Sequence, residues 1–220
     1  MTVLAVTVLV VAKAPVPGLA KTRLAAAIGD AAAADLAAAA LLDTLDAVAA
    51  APVGRRVVAM TGDAAKGCRG DEIVCRLDGF TVIHQRGADF AERLANAHAD
   101  AFAGDSVLQI GMDTPQVTAG LLAECGRALT VADAVLGPAA DGGWWVLGVS
   151  HPSMAECLRN VPMSRSDTGA LTLAALRDNG IDVEMLDELA DFDTVDDIDT
   201  VRRRCSPGSR FALAAEAVLA

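Results

Sequence analysis

The sequence has no apolar run long enough to cross a bilayer. The longest, Val3–Ala12, has ten residues, where a spanning helix needs about 20. A secretory signal, with its positive start and small-residue cleavage site, is also missing, so a cytoplasmic protein is expected. Basic residues are scarce: 18 Lys and Arg face 29 Asp and Glu, a net charge of −11. Such a surface repels phosphate backbones, which argues against a nucleic-acid partner. The five cysteines are odd in number and no pair has metal-finger spacing, so they are read as small core residues or surface thiols. Gly-x-Ser-x-Gly, His-Glu-x-x-His and the Walker A loop are all absent, which sets aside the enzyme classes built on them. No internal repeat or low-complexity linker interrupts the chain, and residues 1–220 are expected to form one domain.

Much of the 53% hydrophobic content is alanine. Alanine is the best helix former, so its clusters predict helices. Strands alternate with these helices. Val3–Val11 is continuous and β-branched, the pattern of a strand buried on both faces of a parallel sheet. Further strands are expected at Arg55–Thr61, Phe80–His84, Ser106–Ile110, Asp133–Leu136, Trp144–Val149 and Ile181–Leu186. Helices are expected over about 30–50, 90–102 with Asp89 as N-cap, 118–129 with Thr118 as N-cap, 168–179 ending at Gly180, 196–204, and at the C terminus. Residues 62–76 show no regular pattern. The fold class is therefore α/β, a three-layer α/β/α arrangement around a mostly parallel sheet. Strands 133–136 and 144–149 read as a small separate hairpin. In such sheets, ligands bind beyond the carboxyl ends of the strands.

Four segments with polar chemistry fall at those ends. The first is Lys13, Gly18, Lys21, Thr22 and Arg23, in a Pro/Gly loop after the first strand. Gly lets backbone approach a ligand, Arg offers a planar fork to phosphate oxygens, and Lys a compact charge. A local basic spot on an acidic chain suggests one bound anion. The second is Gly111-Met112-Asp113-Thr114-Pro115, where Asp113 offers the hard oxygen that Mg²⁺ or Mn²⁺ prefers. The third is Asp191-Phe192-Asp193-Thr194. Asp193 is read either as a second ligand to the same ion or as a helix N-cap. The fourth is the loop Asp141-Gly142-Gly143-Trp144. Here Asp141 is a candidate general base facing an acceptor, with Gly142, Gly143 and Trp144 around it; a tight turn explains the same residues. Trp145 is read as core. Arg86, Asp89, Glu92 and Arg93 form an ion-pair group or contact a nucleobase. His84 and His98 are expected to be half-buried. Capping explains Ser164, Ser166, Asp167 and Thr168.

Taken together, Lys13–Leu24 (KAPVPGLAKTRL), Gln85–His98 (QRGADFAERLANAH), Gly111–Pro115 (GMDTP), Gly137–Gly148 (GPAADGGWWVLG) and Asp191–Thr194 (DFDT) resemble DUF2064. This bacterial family is placed in the GT-A glycosyltransferase superfamily. More distantly, the Lys-Thr-Arg-Leu element is similar to that of guanylyltransferases acting on phospholactate and of molybdenum-cofactor guanylyltransferases. The resemblance implies a Rossmann-like GT-A sheet binding a nucleoside diphosphate or triphosphate with Mg²⁺ or Mn²⁺. The chain departs from the superfamily pattern in two places. Asp113 lacks the second Asp of the usual Asp-x-Asp motif, and the first loop carries two prolines and a single Gly18. The expected function is a metal-dependent transferase with a nucleotide-linked donor and a small-molecule acceptor, of the glycosyltransferase type acting on a nucleotide sugar. The alternatives are transfer of a nucleotidyl group from a triphosphate to a phosphorylated or carboxylated acceptor, and a nucleotide-binding regulator without turnover.

Overall fold

A computed structural model of the protein describes residues 2–220. Seven strands form one sheet: β1 Leu4–Lys13, β2 Val53–Thr61, β3 Thr81–His84, β4 Ser106–Gly111, β5 Ala134–Pro138, β6 Trp144–Val149 and β7 Val183–Met185. Their spatial order is β3-β2-β1-β4-β6-β5-β7. All neighbours pair in parallel except β6, which is antiparallel to both β4 and β5. β5 and β6 are thus not a separate hairpin. Val146, Leu147 and Val149 are apolar, as are Val107, Leu108 and Ile110, and that match lets β6 enter the main sheet against β4. The fold is α/β and Rossmann-like, as expected.

Eight helices flank the sheet: α1 Thr22–Ile28, α2 Asp30–Ala50, α3 Gly70–Leu77, α4 Phe90–Ala101, α5 Ala119–Ala128, α6 Thr168–Asp178, α7 Val195–Arg202 and α8 Arg210–Leu219. Helix α3 and the 3₁₀ turn Ala64–Lys66 occupy the stretch that reads as irregular in sequence. Another 3₁₀ stretch, Pro152–Asn160, joins β6 to the segment before α6. The 21-residue α2 is largely buried, and its alanines allow close approach to its neighbours. Strand alternation sorts the core. Val6, Val8 and Val10 pack with α2 residues on one face, while Leu9, Val57, Ala59 and Val107 pack with Ala97 and Ala101 of α4 on the other.

Local chemistry set most boundaries. The Asp89 carboxylate accepts from the Glu92 N–H at 2.9 Å, and Thr118 Oγ1 from the Leu121 N–H at 3.1 Å, so both predicted caps form. Gly180, with φ 73°, follows α6 as its sequence position suggests. The cap of α7 is not Asp193 but Thr194, in a capping box with Asp197, whose Oδ2 accepts from the Thr194 N–H at 2.8 Å. His98 is fully buried rather than half-buried, both ring nitrogens lack partners, and burial pushes its pKa down to about 3. Among the described residues, no helix is long and apolar enough to cross a membrane.

Residues near the C terminus fold back onto α1 and α2. Phe192 and Phe211, both fully buried with ring centroids 4.6 Å apart, anchor that cluster beside Leu24 and Leu36. Phe211→Ala leaves the cleft residues in place but empties this packing, and should lower the unfolding free energy by about 3–5 kcal/mol in urea denaturation.

Candidate active site

The carboxyl ends of β1, β4 and β5, the start of β6 and the segment after β7 open onto one cleft of about 720 Å³. It is lined by Lys13, Arg23, Asp113, Asp141, Gly143, Trp144 and Asp193 among others. The four polar segments predicted at strand ends therefore meet in space. Their internal arrangement departs from expectation.

Lys21 does not open towards solvent. Its side chain is only 8% exposed, and its Nζ lies 2.8 Å from Asp193 Oδ1 and 3.1 Å from Asp113 Oδ2. The Phe192 ring is 4.3 Å away, so the ammonium also gains cation–π attraction. Burial alone would lower the Lys21 pKa, but the charges of Asp113 and Asp193 outweigh it and raise the value. The lysine backbone sits in the left-handed region with φ 47°, a conformation that costs a non-glycine residue about 1–2 kcal/mol. Arg23 Nη1 approaches Asp193 Oδ2 at 3.4 Å from an exposed position. Lys13 donates to the Leu19 carbonyl at 2.7 Å, which folds its own loop. Gly18, with φ 76°, and Thr22 lie in that loop and at the start of the seven-residue α1, both exposed. Of the predicted basic trio, one member is committed to carboxylates and two border the cleft.

An ammonium group thus lies between Asp113 and Asp193, the pair expected to share a metal. A different set of acids comes together instead. Carboxylate oxygens of Asp141, Asp191 and Asp193 lie within 4.8 Å of one another. Burial, then the negative charges of Asp141 and Asp193, push the Asp191 pKa up to about 6. For Asp193, burial works upward too, but Lys21 and Arg23 prevail and hold it below its ordinary value. Of the three crowded carboxylates only Asp193 has cationic partners, and Asp191 is forced towards protonation; hard oxygen donors of this kind suit Mg²⁺ or Mn²⁺.

Asp191 was not singled out as a ligand from sequence, yet its signal was there. In an extended Asp-Phe-Asp stretch, residues one apart point oppositely. Phe192 enters the core with 0% exposure, so both aspartates must face the cleft. Asp141 keeps its turn role as well, since its Oδ1 accepts from the Gly143 N–H at 2.7 Å. The glycine next to it is required by contact. A Cβ on Gly142, whose φ is 88°, would lie 1.9 Å from the Ser166 carbonyl oxygen. The Gly169 N–H donates to the Gly142 carbonyl at 2.8 Å. The Asp141 loop and the start of α6 are thereby joined. Trp145 is buried and donates to the Asp187 carbonyl at 2.9 Å, while Trp144 is half-buried on the cleft wall. Cleft residues without an expected role include Thr61, Gln109 and Met163, and Arg93, read as an ion-pair or nucleobase group, also lines the cleft.

A sequence profile described as "Uncharacterized protein conserved in bacteria (DUF2064)" matches residues 44–165, more than half of the chain. No curated protein matches. Among solved structures, a provisionally assigned nucleotide-diphospho-sugar transferase from Desulfovibrio desulfuricans G20 is similar over 100% of this chain and 97% of its own, at 26% identity and a TM-score of 0.83. The manganese complex of Rv0371C from Mycobacterium tuberculosis H37Rv aligns over 89% of this chain and 97% of its own, at 20% identity and a TM-score of 0.54. A 4-diphosphocytidyl-2C-methyl-D-erythritol synthase from Anaerococcus prevotii DSM 20548 aligns over 98% of both chains, at 11% identity and a TM-score of 0.57. The latter two show a shared fold.

The raised Asp191 pKa makes a claim about stability. A carboxyl harder to ionise in the fold than in the open chain stabilises the fold fully below its ordinary pKa of 3.8. That contribution is lost as pH rises through about 6. Asp191→Asn removes the charge, so its melting temperature should exceed that of the wild type at pH 7.5 without added metal. The gain should vanish near pH 3.5. Thermal unfolding across pH checks this, and an equal shift at both pH values contradicts it.

Proposed function

The chain belongs to the DUF2064 family of bacterial proteins, and we propose that it is a metal-dependent transferase that takes a nucleotide-linked donor. The observation that carries this reading is the acidic trio Asp141, Asp191 and Asp193, of which only Asp193 is ion-paired, in a cleft that also holds Lys13 and Arg23. The trio would hold Mg²⁺ or Mn²⁺, and the ion would neutralise charge on the departing phosphates. Asp113 then serves mainly as a hydrogen-bond acceptor that fixes Lys21 rather than as a ligand.

The remaining roles belong to the protein's own side chains. Arg23 presents its guanidinium at the cleft mouth, 73% exposed, where it meets donor phosphate oxygens in pairs. Lys13 reaches the same side. Lys21 keeps Asp193 ionised and oriented. Trp144 and Gly143 form the wall on which an acceptor rests, beside the Asp141 carboxylate. These groups are fixed before substrate arrives, which is what positioning catalysis requires. We favour a glycosyl group as the cargo, on the likeness to the Desulfovibrio protein. Nucleotidyl transfer is the second reading, supported by the cytidyl-transferring neighbour with the same fold.

A thermal-shift panel of nucleoside triphosphates and nucleotide sugars, each with and without Mn²⁺, tests the proposal. At least one donor class should raise the melting temperature only when Mn²⁺ is present. Asp141→Asn and Asp191→Asn should each abolish the Mn²⁺ effect. Arg23→Ala should weaken nucleotide binding by about 1–3 kcal/mol in calorimetry. A wild type indifferent to every donor, with or without Mn²⁺, overturns the reading.

A further inference from the structure

One wall of the cleft plays no part in the scheme above. It is built by α4, β4 and the segment before α6, and it contributes Phe90, Arg93, Leu94, Gln109 and Met163. Two of these carry hydrogen-bonding capacity that the protein does not use. Gln109 is 1% exposed, and its carboxamide Oε1 has no hydrogen-bond partner. It occupies the middle of β4, between Leu108 and Ile110, and strand alternation sends its side chain to the α4 face. A buried amide left without a partner is costly, so apolar side chains would be preferred there unless something binds. Arg93 is half-buried one turn into α4, and its Nε is buried without a partner. Its guanidinium lies over the Phe90 ring, with Cζ 5.9 Å from the centroid. Among the described residues, Asp113 pairs with Lys21, Asp193 pairs with Lys21 and Arg23, and no carboxylate pairs with Arg93. Its charge at the cleft wall is therefore left without an ion pair, on a chain of net charge −11.

From this wall we infer a second anion subsite, in which Arg93 and Gln109 bind the carboxylate or phosphate of the acceptor. The chemistry is specific. Arg93 supplies a planar fork for two oxygens of one oxyanion. The Gln109 carboxamide offers its N–H donors to the same group, and its Oε1 is left to accept from a hydroxyl of the acceptor. The buried Leu94 and Gln109 keep this wall poorly solvated, which strengthens such interactions. The subsite stands on a wall other than the one bearing Asp141, Asp191 and Asp193. An acceptor gripped at Arg93 is thus oriented independently of the donor phosphates. This inference rests on the transferase reading only for the identity of the bound anion as the acceptor.

The test uses the protein and two probes, inorganic phosphate and lactate, titrated by calorimetry into the wild type, Arg93→Gln, Arg93→Lys and, as a control away from the cleft, Arg177→Gln. One probe should bind the wild type, lose at least tenfold in affinity with Arg93→Gln, and change less than twofold with Arg177→Gln. Arg93→Lys should fall between, because it retains charge without the fork. Preference for lactate names a carboxylate acceptor, and preference for phosphate a phosphorylated one. The inference is overturned if neither probe binds the wild type, or if Arg93→Gln binds both as the wild type does. It also falls if Arg177→Gln loses binding as Arg93→Gln does. Mn²⁺ with CTP or GTP is titrated into the same proteins. Loss of nucleotide binding in Arg93→Gln would assign Arg93 to the donor and overturn the inference. Absence of nucleotide binding in every variant, with probe binding intact, would remove the transferase reading and leave the subsite standing.

Discussion

A buried ammonium holds this molecule's working end together. Lys21 comes from the loop after β1, Asp113 from the end of β4, and Asp193 from the segment between β7 and α7. All three meet within 3.1 Å contacts beneath the Phe192 ring. Removing a charge from such a group leaves its partners unpaired in a poorly solvated place, which is costly. The ion pairs also explain a backbone oddity: Lys21 tolerates a positive φ because its side chain has a fixed destination. The same contact sets the state of Asp193, which stays charged while its neighbour Asp191 is pushed towards protonation. One lysine therefore divides two nearly adjacent aspartates into unlike groups.

That division shapes the cleft. The acidic side gathers three carboxylates that repel one another, and the basic side is reduced to Arg23 and Lys13, because Lys21 is already engaged. On the proposed reading, a phosphate-bearing ligand would bind only once the repulsion among the acids is relieved. The α4 wall is different in kind, apolar around one amide and one guanidinium. A protein of strong net negative charge can thus hold three anion-related environments a few side chains apart.

Much of this was legible in the sequence, for identifiable reasons. β-branched runs and alanine stretches have strong periodic signals, so strands and helices fall near their expected places. Asp89 and Thr118 cap their helices because capping is a local interaction that spacing alone encodes. The meeting of four polar segments followed from the rule that strand ends face the ligand. The partnerships within the cleft were less accessible. Insertion of β6 between β4 and β5 is a long-range choice, and it moves Asp141 from a separate hairpin to the neighbourhood of Asp191. Lys21 reads as a free base because nothing local announces two carboxylates, one 172 residues away. Gln109 looks like one polar interruption of a strand, and only its burial without a partner marks it out.

The distance along the chain between Lys21 and Asp193 has a consequence for biosynthesis. A polypeptide leaving the ribosome exposes β1 and its basic loop first, then Asp113 at the end of β4. Phe192 and Asp193 follow only after β7. Until then the Lys21 ammonium has one carboxylate instead of two and no aromatic cover, so its strained loop has little to hold it. Domains fold as units as synthesis proceeds, and contacts of high sequence separation close last. In this protein the last contact to close is also the one that orders the acidic trio. A nascent or truncated chain would therefore lack the gathered carboxylates of the cleft even with most of its sheet in place.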